Sequence, residues 1–224
     1  MAGAGTIAKE DRGVTMPDAA RARDFQDPRI PNRDECVLRY LLDRWAAERP
    51  DKAHIVFPDG SEWSFADIHT RVRAKAAGLR ALGIKQGDHV AVWLPNGPDA
   101  LLAFYAINYL GAVFVPFNTA YRGGLLEHVL ANASARILLV HPDLVPRLAE
   151  VDLGGLERLV VTTTGTMAQA PLPVVRYDDV AGGPSAGVPV GRPNRPWDIQ
   201  PVNYTSGTTG NPKGVVYHHR GAAL

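Results

Sequence analysis

The residues best suited to chemistry lie together near the end of the sequence, in the segment YTSGTTGNPKGV over positions 204–215. Residues 205–214 include four hydroxyl side chains, three glycines and one lysine. Glycines let the backbone turn so that successive N–H groups face the same point, which creates a concavity that binds anions. The hydroxyls add further donors and Lys213 adds a positive charge. The segment therefore predicts a loop that binds a polyphosphate.

The spacing of these residues excludes two familiar phosphate loops. A P-loop ends in Gly-Lys followed by Ser or Thr, whereas here Pro212 precedes Lys213 and Gly214 follows it. The dinucleotide fingerprint Gly-x-Gly-x-x-Gly fails as well, because Gly207 and Gly210 do not fit its spacing. The segment is a different kind of phosphate loop.

Alternating strands and helices precede the loop and must position it. Short apolar runs predict strands over 53–57, 62–63, 89–94, 112–116, 136–140 and 159–161. Helical spacing of apolar residues predicts helices from Glu35 to before Pro50, from Ser64 to Gly83, and over 99–110, 125–133 and 144–151. Strands without in–out alternation, separated by helices, are typical of a parallel sheet covered on both faces. We therefore expect an α/β fold with a largely parallel sheet flanked by helices.

The helix after Ser64 has the clearest boundary signals. The Ser64 hydroxyl can cap the free N–H groups of the first turn, and Asp67 favours the positive end of the helix. Gly83 supplies a left-handed stop at the other end.

Composition excludes several classes of function. The chain has 224 residues, with 24 Lys and Arg against 23 Asp and Glu, so its net charge of +1 argues against a nucleic-acid partner. The single cysteine, Cys36, excludes a disulfide framework and fits the reducing cytoplasm. The most apolar stretch, residues 100–117, contains Asn108 and Pro116, so we expect no integral membrane segment.

Residues 204–215 closely resemble the AMP-binding signature of the adenylate-forming enzymes, which include acyl-CoA synthetases, peptide-synthetase adenylation domains and luciferases. Landmarks of the same family stand upstream in the usual order, at 63–65, 87–91 and 111–118, so the likeness runs from about Glu35 onward. Residues 117–123 and 126–130 look most like CoA ligases of small carboxylic acids, the carnitine/crotonobetaine-CoA ligase type among them.

The resemblance implies a reaction in two steps. A small carboxylic acid attacks the α-phosphate of ATP to give an acyl-adenylate and pyrophosphate, and the thiol of coenzyme A then displaces AMP. ATP, Mg²⁺ and coenzyme A are the implied cofactors and co-substrate. The residues implied to hold the phosphates are Thr205, Ser206, Gly207, Thr208, Thr209, Gly210 and Lys213.

Three of the implied roles belong to individual residues. Lys213 would stabilise phosphate charge during catalysis, and Thr205 would also help to ligate magnesium. His219 would lie near the passage for the acyl group and the pantetheine arm. The alternative for His218 and His219 is that both simply pack beside the strand that follows the loop.

Three functions remain open at this stage. The leading one is an ATP-dependent carboxylic acid–CoA ligase; the others are a non-catalytic nucleotide- or polyphosphate-binding module and an adenylation domain that loads a carrier protein. In the family, the acid pocket, adenine site, hinge and C-terminal catalytic lysine follow the loop, so we expect them beyond Leu224. We therefore expect the chain by itself to be weakly active or inactive.

The sequence divides into four predicted segments. Residues 1–33 form an N-terminal extension, 34–164 an α/β subdomain, and 165–196 a connector rich in glycine and proline, with a short strand at 173–177. Residues 197–224 hold a strand and the phosphate loop of an incomplete AMP-binding domain. Together they form the front part of the large N-terminal domain of an adenylate-forming enzyme.

Overall fold

A computed structural model describes residues 33–162, 169–180, 188–205 and 210–222. The predicted N-terminal extension lies outside the described residues except for Arg33. The described strands, in chain order, are β1 (Ala53–Val56), β2 (Glu62–Ser64), β3 (His89–Trp93), β4 (Val113–Pro116), β5 (Ile137–Val140), β6 (Arg158–Val161), β7 (Val174–Arg176), β8 (Ile199–Thr205) and β9 (Lys213–His218). These bounds agree closely with the strands expected from the sequence.

The helices follow the predicted periodicity with two corrections. They are α1 (Arg33–Cys36), α2 (Leu38–Glu48), α3 (Phe65–Ala81), α4 (Pro98–Leu110), α5 (Gly123–Ala133), α6 (His219–Ala222) and a 3₁₀ helix over Pro142–Leu148. The helix expected from Glu35 is interrupted at Val37, whose backbone is extended. The helix expected over 144–151 is instead this 3₁₀ helix, since Pro146 inside it has no N–H to donate to an α-helical ladder.

A seven-stranded sheet forms the centre of the fold, in the order β7-β6-β5-β3-β4-β8-β9. Neighbouring strands are parallel from β7 to β8, and only the last pair, β8 with β9, is antiparallel. Strands β1 and β2 form a separate antiparallel ribbon. The expected α/β fold with a largely parallel sheet is confirmed.

Both faces of the sheet are buried along β3, β5 and β6, which explains why these strands lack in–out alternation. On β3, Val90 and Val92 join one core cluster with residues of α3 and α4, while Ala91 and Trp93 join a second cluster with residues of α5. Because the core strands are parallel, their carboxyl ends all lie at the same edge of the sheet, which is called the carboxyl edge below. Helices cover the two faces.

The predicted boundaries of α3 are confirmed by its hydrogen bonds. The backbone N–H of Asp67 donates to the Ser64 hydroxyl oxygen over 3.1 Å, and the backbone N–H of Ser64 donates to the Asp67 carboxylate over 3.0 Å. This reciprocal capping box satisfies two donors that the helix itself leaves free. Gly83 follows the helix with φ +92°, as expected for a left-handed stop.

The segment predicted as a connector contributes to the sheet. The expected strand at 173–177 is present as β7, which pairs with β6. Tyr177 and Asn194, from the same segment, are 1% and 0% exposed. Within the described residues, the helices are all too short or too polar to cross a bilayer.

Substituting Gly111 tests how tightly this segment packs on the sheet. A Cβ at Gly111, which has φ +81°, would lie 2.7 Å from Asn194 Oδ1 and 2.9 Å from Gln86 Cγ, whereas one at Gly83 would meet nothing within 4 Å. Gly83→Ala carries only backbone strain and should lower the free energy of unfolding by about 1–2 kcal/mol. Gly111→Ala adds overpacking against Asn194 and Gln86, so it should lower the free energy of unfolding by about 1–3 kcal/mol more than Gly83→Ala does. Urea unfolding of the two variants measures the difference, and equal losses would contradict this packing.

Candidate active site

The predicted phosphate loop connects β8 to β9 at the carboxyl edge of the sheet. Strand β8 pairs in parallel with β4, with Phe114 opposite Pro201, so its last residue, Thr205, lies at the same edge as the ends of β3, β4 and β5. In open α/β sheets, ligands bind outside the carboxyl ends of the strands. The loop is therefore placed where this architecture binds ligands.

Thr205 and Lys213 face each other across the mouth of the loop. They are direct partners in the β8–β9 ladder, and both are exposed. Residues directly opposite in an antiparallel pair project their side chains from the same face. The hydroxyl and the ammonium group are thus presented together to solvent, and Gly210 is also exposed. The other predicted phosphate ligands, Ser206, Gly207, Thr208 and Thr209, lie outside the described residues.

This pair fits a polyphosphate that carries a magnesium ion. A lysine ammonium is a compact point charge for phosphate oxygens. Magnesium accepts hard oxygen ligands, keeps several waters and is bound largely through substrate phosphates. One threonine hydroxyl at the loop is therefore a reasonable protein ligand for it.

Helix α5 supports the loop through two residues that the sequence did not single out as functional. His128 Nε2 lies 3.0 Å from the carbonyl oxygen of Pro212, and its Nδ1 lies 3.4 Å from the side-chain amide nitrogen of Asn211. On the next turn, Asn132 Oδ1 accepts a hydrogen bond of 2.9 Å from the Tyr204 hydroxyl. The signal available in the sequence was the pair of polar residues His128 and Asn132, four apart on a largely apolar helix.

Tyr204 also packs against the second core cluster. Its ring meets that of Phe117 edge to face, with centroids 6.3 Å apart. Gly214 lies opposite Tyr204 in the ladder, where an added Cβ would come within 3.7 Å of the ring. The Tyr204 hydroxyl is protonated at neutral pH, and partial burial raises its pKa further above the ordinary value.

His219 is buried at the start of α6, away from the exposed mouth of the loop. It is 2% exposed, and its Nδ1 has no hydrogen-bond partner among the described residues. Burial lowers the pKa of the imidazole to about 4, so the ring is neutral. Its backbone N–H donates to the carbonyl oxygen of Asp198 over 3.2 Å. This environment favours packing beside the strand, and a role in an acyl passage stays a prediction.

Comparison with known proteins identifies the family of the chain. A family profile described as AMP-binding enzyme matches residues 42–223. The chain belongs to the AMP-binding enzyme family. Among the relatives of this AMP-binding enzyme, the mitochondrial medium-chain acyl-CoA ligase ACSF2 of Mus musculus is 30% identical over 200 residues, and nonribosomal peptide synthetase 8 of Aspergillus fumigatus is 28% identical over 192 residues.

A solved structure shows the same fold. The anthranilate CoA ligase AuaEII, in complex with anthranoyl-AMP, superposes with a TM-score of 0.68 at 25% identity. The alignments cover 80% of this chain with the mouse ligase, 85% with the peptide synthetase and 86% with AuaEII. The same alignments span only 32% of the mouse ligase, 2% of the peptide synthetase and 36% of AuaEII.

The buried His219 predicts a specific pH dependence of stability. Its pKa falls from 6.5 to about 4 on folding, so between these values the unfolded chain binds a proton that the folded chain does not. Acidification from pH 6.5 to 4 should therefore remove up to about 3 kcal/mol of unfolding free energy through this residue.

Replacing His219 with Phe should flatten that pH dependence. Chemical denaturation at several pH values measures the slope, and His218→Phe serves as the matched control because it removes an exposed imidazole next to the buried one. A His219→Phe slope equal to that of the wild type would contradict the neutral, buried imidazole.

Proposed function

We propose that this chain supplies the phosphate-binding part of an ATP-dependent carboxylic acid–CoA ligase, which forms an acyl-adenylate and then an acyl-CoA thioester. The observation that carries the proposal is the pairing of Thr205 with Lys213 at the mouth of a carboxyl-edge loop. Membership of the AMP-binding enzyme family and the match to an acyl-CoA ligase support the same function.

In the first step, the chain would hold ATP and stabilise the charge that develops on the departing pyrophosphate. The Lys213 ammonium neutralises part of that charge, together with loop donors from Thr205 through Gly210. Magnesium, when bound near Thr205, supplies further neutralisation of the phosphates. Donors placed before the reaction need no rearrangement as the charge develops, so they lower the barrier rather than only strengthening binding.

The substrate, the acceptor, the location and the metabolic role of the enzyme belong to the same proposal. We propose a small carboxylic acid as the substrate, coenzyme A as the acceptor, a cytoplasmic location and a place in fatty acid metabolism. The match to a nonribosomal peptide synthetase supports one competing function, an adenylation domain that loads a carrier protein. Two assays separate the CoA ligase from the carrier-loading domain. The first measures pyrophosphate release from ATP with a panel of acids, and the second measures transfer of the activated acyl group to coenzyme A or to a carrier protein.

Lys213→Ala tests the role of the loop directly. Hydrogen bonds to charged groups contribute about 1.5–3 kcal/mol each, so this variant should bind Mg²⁺–ATP about 10- to 100-fold more weakly in calorimetric titration. Lys85→Ala is the matched control, because Lys85 is an exposed lysine that precedes β3 at the opposite edge of the sheet. Equal affinity in the Lys213 variant and the wild type would refute the assignment.

The two chemical steps offer a second test of Lys213. Because Lys213 would face the phosphates that leave in the first step, Lys213→Ala in an intact ligase that contains this segment should slow acid-dependent pyrophosphate release more than it slows thioester formation from a supplied acyl-adenylate. Equal loss in the two separately measured half-reactions would argue against its role in the first step.

A further inference from the structure

The phosphate loop is attached to α5 at both of its ends. Before the loop, the Tyr204 hydroxyl donates to Asn132 Oδ1 over 2.9 Å. After the loop, the Pro212 carbonyl lies 3.0 Å from His128 Nε2, and Pro212 itself is buried. His128 and Asn132 are four residues apart, so they lie one above the other on the same face of the helix. One helical face therefore holds the two ends of the loop.

Helix α5 is a rigid support because its opposite face is packed against the sheet. Its apolar residues Leu126, Val129, Leu130 and Ala133 are at most 2% exposed. Near its C-terminal end, the Ala133 carbonyl lies 2.8 Å from His89 Nδ1 on β3. The position of the helix is thus fixed by the core and by its hydrogen bond to β3, independently of the loop.

The chemistry of the contact assigns the protons of His128. A carbonyl oxygen can only accept, so Nε2 must carry the hydrogen that it donates to Pro212. In the neutral ring, Nδ1 is then a bare acceptor, which matches the approach of the Asn211 side-chain amide at 3.4 Å. The imidazole therefore restrains Asn211 and Pro212, the two residues immediately before Lys213.

We propose that His128 and Asn132 are positioning residues that hold the loop in the shape that binds the phosphates of ATP. Neither needs to touch the nucleotide, because each acts through a residue at one end of the loop. Fixing the ends before the ligand arrives reduces the conformational entropy that binding would otherwise lose. The inference rests on the proposed function for its ligand, and on the contacts of α5 for its geometry.

Amide substitutions at His128 separate positioning from general helix stability. The amide nitrogen of Gln can occupy the place of histidine Nε2, so His128→Gln should keep the bond to the Pro212 carbonyl. The amide of Asn reaches only as far as Nδ1, so His128→Asn, like His128→Ala, should lose that bond. Leu125→Ala is the control for the helix itself, since Leu125 is 44% exposed on α5.

The first measurement is the dissociation constant of Mg²⁺–ATP for each purified full chain. A net hydrogen bond of about 1 kcal/mol corresponds to about a 5-fold change. We expect His128→Ala, His128→Asn and Asn132→Ala to bind about 3- to 10-fold more weakly, and His128→Gln and Leu125→Ala to stay within about 2-fold of the wild type. Wild-type affinity in His128→Ala, or an equal loss in Leu125→Ala, would overturn the proposal.

The second measurement needs no ligand, so it distinguishes the failure of this inference from the failure of the proposed function. Hydrogen–deuterium exchange over residues 210–214 should be faster in His128→Ala and His128→Asn than in the wild type, His128→Gln or Leu125→Ala. Because the adenine site is expected outside this chain, absence of ATP binding by the wild type would count against the phosphate-binding role of the chain itself, and exchange alone then decides whether α5 holds the loop. Unchanged exchange in His128→Ala would overturn the inference.

Discussion

The parallel pairing of β8 with β4 is the interaction on which the site depends. It directs Thr205 to the carboxyl edge, where β3, β4 and β5 also end. The antiparallel return of β9 then places Lys213 opposite Thr205. An antiparallel β8 would have put the same residues at the other edge, far from the ends of these strands. The direction of one strand therefore decides whether the hydroxyls and the lysine form part of a site.

The packing that stabilises the sheet also positions the residues on either side of the loop, Tyr204 and Pro212. Helix α5 buries one face against the strands and turns His128 and Asn132 toward the β8–β9 hairpin. A helix fixed by a large apolar contact can transmit its position through two hydrogen bonds, since the core allows little displacement. Under the proposed function, stability and ligand binding would therefore depend on the same helix.

Local signals in the sequence predicted much of this structure. The capping pair Ser64 and Asp67 and the apolar strands depend on neighbouring residues, and the structure has the expected elements at those places. The contact between His128 and Pro212 joins residues 84 apart in sequence. Such a contact depends on how a helix and a hairpin pack in three dimensions, which neither segment encodes alone. The 3₁₀ helix was missed for a simpler reason, because apolar spacing outweighed the effect of Pro146.

A crystal structure of the chain with Mg²⁺ and ATP tests the central claim most directly, namely that the β8–β9 loop holds the phosphates. We expect the triphosphate at the carboxyl edge of the sheet, within hydrogen-bonding distance of Lys213 Nζ and of the loop N–H groups. Magnesium should lie near the Thr205 hydroxyl. A triphosphate bound elsewhere on the chain, with Lys213 left in solvent, would contradict it.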